Sequence, residues 1–145
     1  MLAVELNMKT LTKSENFQIL SNNEDLWVEF NNSDKGLFKI GKFIGCPNDA
    51  IISSNEEYAI IAGYGLMVVD LDGFINNING LRKESVKIYF RENERNFWIN
   101  NVWQDQTLGN STFCFQAQLK QYCFDVKKET LLEFGSANIE IVKKK

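Results

Sequence analysis

The stretch AGYGLMVVDLDG, residues 62–73, holds the spacing that most invites a chemical reading. Gly63 and Gly65 flank Tyr64, an apolar run follows, and Asp70 and Asp72 precede Gly73. A glycine-rich turn can present backbone N–H groups to a phosphate, but the dinucleotide fingerprint needs a third glycine and then a helix. Val68 stands where that glycine belongs, and LMVVDL reads as a strand. A calcium loop opening at Asp70 needs an oxygen ligand at its fifth position and glycine at its sixth. Phe74 and Ile75 occupy those places. What remains is a two-residue turn, Tyr64-Gly65, in a hairpin whose strands are apolar on both faces and therefore covered on both sides. Asp72 would then cap a short helix.

Other chemistry is equally constrained. The chain has no histidine, which excludes Ser-His-Asp and Cys-His catalysis and weakens the common metal sites. Cys46, Cys114 and Cys123 have no metal-like spacing and read as free thiols of a reducing compartment. Carboxylate pairs survive as a candidate acid–base device: Glu56 with Glu57, Glu92 with Glu94, Asp70 with Asp72. Exposed turn charges are the competing explanation. No cofactor and no metal is expected.

Two aromatic-acidic groups stand out instead. In NFWINNVWQD, strand alternation puts Phe97, Ile99, Asn101 and Trp103 on one side and Trp98, Asn100 and Val102 on the other. If Phe97 and Ile99 face the core, Trp98 lies outward like an interface anchor with a polar rim. The alternative is that both tryptophans are core. In NNEDLWVEF, Leu26, Val28 and Phe30 alternate with Trp27 and Glu29. Either this is a solvated sheet face, or its acids meet a basic partner. The candidate partner-binding residues are Glu24, Asp25, Trp27, Glu29, Glu92, Glu94, Trp98 and Asp105.

The elements that must position these residues are mostly strands. Runs of Val, Ile, Phe, Tyr and Trp alternate with Asn, Asp, Gly and Ser clusters. Strands are predicted at Phe17–Leu20, Leu26–Phe30, Leu37–Ile40, Tyr58–Gly63, Leu66–Leu71, Val86–Phe90, Phe97–Trp103, Thr112–Gln118, Tyr122–Val126, Thr130–Phe134 and Ile139–Val142. MKTLTKSENFQIL could begin as a short helix, and Phe74, Ile75, Ile78 and Leu81 have helical spacing up to a stop at Gly80. The fold class expected is mainly β (β-rich α+β): one domain over 1–145, a single antiparallel curved sheet or half-barrel with one or two short helices. Two segments share the outline of propeller blades, but about 160 residues are needed to close four blades.

The 145 residues suit one domain, and the net charge of -3 argues against nucleic acid as a partner. No run approaches the ~20 apolar residues of a membrane span, and MLAVELNMKT lacks the basic lead of a signal peptide. A cytoplasmic location is expected, with neither membrane nor nucleic acid as partner.

As a whole, this acidic, asparagine-rich, strand-alternating chain, with Trp27 beside Glu29 and Trp98 beside Glu94, resembles bacterial toxin-immunity proteins of the contact-dependent growth inhibition type. The resemblance implies a non-catalytic cytoplasmic inhibitor that binds and neutralises a cognate basic toxin domain, often a nuclease. Two other classes compete with it: a small carboxylate-dependent enzyme, and a β-barrel or propeller-like ligand module with an apolar cavity lined by Tyr64, Phe97 or Trp103.

Overall fold

The computed structural model describes residues 8–31, 36–76, 85–92 and 96–142. The chain is mainly β, as its composition predicts, but its strands form three antiparallel sheets and not one curved sheet. The first sheet is β1 (Lys9–Lys13), β2 (Phe17–Asn22), β3 (Asp25–Phe30) and β4 (Leu37–Lys42). The second is β5 (Asp49–Ile52), β6 (Tyr58–Gly63), β7 (Gly65–Asp70) and β8 (Val86–Tyr89). The third is β9 (Ile99–Gln104), β10 (Thr112–Ala117), β11 (Lys120–Asp125), β12 (Thr130–Glu133) and β13 (Ile139–Ile141). Each sheet is a meander in which sequence neighbours pair.

The second sheet is the middle layer, because its hairpin is apolar on both faces. Ala59, Ile61, Met67 and Val69 join Leu26, Val28 and Ile40 of the first sheet in one core. Ile60, Ala62, Leu66 and Val68 join Phe113, Phe115 and Phe124 of the third in the other. The two-sided burial read from the sequence is therefore correct, and its cause is the stacking of sheets on both sides. The second core is dominated by rings: Phe90, Phe97, Phe115, Tyr122 and Phe124 touch one another with centroids 4.7–5.6 Å apart.

Three local readings change. Lys9–Lys13 is an edge strand and not the start of a helix, and β5 was not foreseen. The helix, α1, spans Leu71–Asn76 and begins earlier than its spacing suggests. Its cap is Asp70, whose Oδ1 accepts from the N–H of Gly73 at 3.1 Å, while Asp72 lies inside the first turn. Asn79-Gly80, Leu81 and the terminal lysines lie outside the described residues. In β9 the alternation breaks at a bulge: Gln116 pairs with Asn101 but Ala117 pairs with Ile99. The extra residue inverts the faces, so Ile99 and Val102 both enter the core and Trp103 joins the outer face. Asn48 and Asp49 lock the bulge. Asn48 Nδ2 donates to the Ile99 carbonyl at 2.8 Å, and Asp49 Oδ2 accepts from the Val102 N–H at 2.9 Å.

Candidate functional site

The turns between β2 and β3, β4 and β5, β6 and β7, β8 and β9, and β10 and β11 meet at one end of the stack. Gly63 and Gly65 pair directly, which leaves Tyr64 alone at the apex, so the turn is tighter than the two-residue one predicted. Both glycines are required by packing. A Cβ on Gly63 would lie 2.7 Å from the Phe43 ring, and one on Gly65 would lie 2.7 Å from the Tyr89 carbonyl at a φ of +86°. The Gly65 N–H is already taken, donating to the Phe97 carbonyl at 2.8 Å.

Tyr64 bridges to Trp98, and the two rings stack with centroids 5.1 Å apart and planes 22° from parallel. Arg91 supports Tyr64 from below. Its Nε donates to the Tyr64 carbonyl at 2.9 Å. Its guanidinium carbon lies 5.6 Å from the Tyr64 ring centroid and 4.7 Å from that of Phe43. Phe43, Arg91, Tyr64 and Trp98 thus form a continuous series of flat groups, each holding the next by dispersion and cation–π attraction. Arg91 is 2% exposed, and among the described residues its Nη2 has no hydrogen-bond partner. Burial lowers its pKa, but a guanidinium stays charged at neutral pH all the same.

The top of this series is open. Trp98 is 62% exposed, Leu119 95% and Ile44 50%. Gln118 Nε2 donates to the Asn96 carbonyl at 3.3 Å, which ties the Leu119 turn to the Trp98 segment. Cys46, in the same loop as Ile44, brings its carbonyl to Gly63. The backbone here is unusual as well. Asn23, Phe90, Glu92, Gln118 and Leu119 all have positive φ between 54° and 67°. For residues as bulky as Phe and Leu this is strained, and strain of this sort collects at sites that bind or switch.

The predicted partner-binding residues are not brought into one cluster. Trp98 is outward, as the alternation of Phe97 and Ile99 required. Glu24 is at the same end, but its Oε2 accepts from the Gly45 N–H at 2.9 Å and its carbonyl from the Phe43 N–H at 2.7 Å, so it shapes the loop under Arg91. Glu92 follows Arg91 directly, and its N–H donates to Asn96 Oδ1. Asp25, Trp27 and Glu29 lie on the outer face of the first sheet, as read. Asp25 pairs with Lys39 at 3.3 Å, Lys39 Nζ sits 5.7 Å over the Trp27 ring, and Glu29 accepts from Gln18 Nε2. Asp105 is at the far end, where its Oδ1 caps a 3-10 turn by accepting from Thr107. Glu94 lies outside the described residues.

Three of the carboxylates considered for acid–base work are engaged in structural contacts, Asp70 as the helix cap described above. Glu56 binds Ser14 and Asn16; burial opposes its ionisation, but those hydrogen bonds prevail and lower its pKa. Glu57 pairs with Lys127 at 3.5 Å. Among the described residues no group of three His, Cys, Asp or Glu side chains is placed to hold a metal, and no helix is long and apolar enough to cross a membrane. The apolar groove of about 380 Å³ is on the third sheet's outer face, lined by Leu108, Cys123, Phe134 and Ile139, so it does not involve Tyr64 or Phe97.

Sequence reasoning missed Arg91 and Phe43. The one usable signal was Arg91 itself, a cation between Phe90 and Glu92 at the end of an apolar strand. Its burial depends on where Phe43 lies, which no local pattern reveals. Comparison with known proteins finds no matching family model, no matching curated protein and no matching solved structure.

Proposed function

We propose that the chain is a non-catalytic immunity protein of the contact-dependent growth inhibition type, and that it neutralises a basic toxin domain, a nuclease by charge logic, inside the cell. The observation that carries this reading is Trp98: a large ring mostly in solvent, yet stacked on Tyr64, which Arg91 in turn holds in place. A pre-ordered aromatic at the same end of the stack as exposed Leu119 and Ile44 is the kind of anchor that dominates protein–protein binding energy. The acidic balance of the chain supports a basic partner, since opposite charge steers encounter and like charge repels. A nuclease must carry positive charge to hold phosphates.

The test is purification of the tagged chain from its native cells, followed by identification and assay of whatever is bound. The expected result is one basic protein at one-to-one stoichiometry, toxic or nucleolytic when freed and silent in the complex. A chain that emerges without a stoichiometric partner, or a partner whose activity persists in the complex, contradicts the reading.

A further inference from the structure

The three cysteines differ in setting. Cys46 is exposed, whereas Cys114 on β10 and Cys123 on β11 are directly opposite each other across the hairpin. Their Sγ atoms are 3.1 Å apart, and both thiols are free. The pair sits at the centre of a registered row on the third sheet's outer face, running Trp103, Cys114, Cys123, Leu132, Ile139. That row carries no charge. Cys123, 8% exposed, also lines the groove beside Leu108, Phe134 and Ile139, with Asp125 and Lys128 on the same lining, and Cys114 is the more buried of the pair at 3%.

We propose that Cys114 and Cys123 are a closing dithiol, which disulfides small enough to enter this groove convert to an intramolecular cross-strand disulfide. Cys123 gives up its proton, and its thiolate attacks one sulfur of the small disulfide. The S–S bond of that molecule breaks, one small thiolate leaves, and a mixed disulfide remains on Cys123. Cys114 then loses its proton and attacks the Cys123 sulfur, and the second small thiolate leaves. Two protein thiols are oxidised, one small disulfide is reduced to two thiols, and the two protein protons pass to them. The sulfurs need approach by only about 1 Å to reach bonding distance. The order follows from access, since Cys123 faces the groove and burial pushes the Cys114 thiol up to about 12.

The probe is hydroxyethyl disulfide, applied to the folded Cys46→Ser chain with intact mass read without reductant. The expected product is a monomer lighter by two hydrogens, with both thiols gone. Cys114→Ala in the same background should stop at the first step and hold one mercaptoethanol on Cys123. Cys114→Ser is the second variant if the alanine form fails to fold by circular dichroism. Glutathione disulfide, too bulky for a groove of about 380 Å³, should close the pair at least ten-fold more slowly. Retention of two free thiols, one adduct on each sulfur, a disulfide between two chains, or equally fast closure by glutathione disulfide overturns the proposal.

Discussion

Arg91 shows how much a single residue can order without touching a ligand. A guanidinium is weakly hydrated for a cation, which lowers the cost of placing it between Phe43 and Tyr64. In return it fixes the apex of the central hairpin, and Trp98 rests on that apex. Gly65 belongs to the same construction. Gly65→Ala should cost about 1–3 kcal/mol, because it adds left-handed strain to a collision with the Tyr89 carbonyl. Urea unfolding of the variant against the parent measures it. Two phenols, Tyr89 buried and Tyr58 half-buried, set the alkaline limit. Burial, then the charge of Glu57, pushes Tyr58 up to about 12; burial, then the hydrogen bond to Glu129, raises Tyr89. In the unfolded chain both titrate near 10. Their folded pKa values lie above the unfolded ones, so the stability they contribute is complete below pH 10 and falls as pH rises from there toward 12. The urea midpoint should drop across that window, and Tyr58→Phe should flatten the drop.

Among the elements, the strands were legible and the turns were not. Alternation located the central hairpin, the faces of Trp27 and Trp98 and nine further strands, because the period of two survives wherever one face is buried. It failed at β9, where one extra residue inverts the pattern. The lock on that bulge comes from Asn48 and Asp49, some fifty residues away, and no local pattern in β9 points to them. The same limit hid the dithiol. Cys114 and Cys123 are nine positions apart, and only the location of the turn at Gln118-Leu119 makes them partners. That turn has positive φ at both residues, a conformation suited to Asn-Gly and poorly suited to Gln-Leu. The double substitution Gln118→Asn, Leu119→Gly should therefore raise stability by about 1–2 kcal/mol. If Leu119 is part of the binding surface, the same variant binds the partner more weakly. Thermal unfolding and a binding titration on one sample read both effects. Stability gained as binding is lost would mark this turn as shaped by recognition.

As a whole the molecule is three stacked meanders whose exposed surfaces differ. The outer face of the first sheet is charged and tied up internally, with Asp25 held by Lys39 and Glu29 by Gln18. The outer face of the third sheet carries an uncharged row with the two sulfurs at its centre, flanked by Asp125 and Lys128. The turn end carries the ordered stack of Phe43, Arg91, Tyr64 and Trp98. The acids singled out from the sequence are dispersed over these regions, because charge alone does not reveal which sheet or end a residue occupies. What the sequence did disclose was Trp98, through the burial of its neighbours Phe97 and Ile99. The measurement that bears most directly on the account is a calorimetric titration of the purified partner with the parent chain, with Trp98→Ala and with Ile139→Asp. The account predicts that Trp98→Ala leaves thermal stability within about 1 kcal/mol of the parent. It also predicts a loss of about 30-fold or more in affinity, roughly 2 kcal/mol, while Ile139→Asp binds like the parent. Unchanged affinity in Trp98→Ala, or a loss confined to Ile139→Asp, would contradict it.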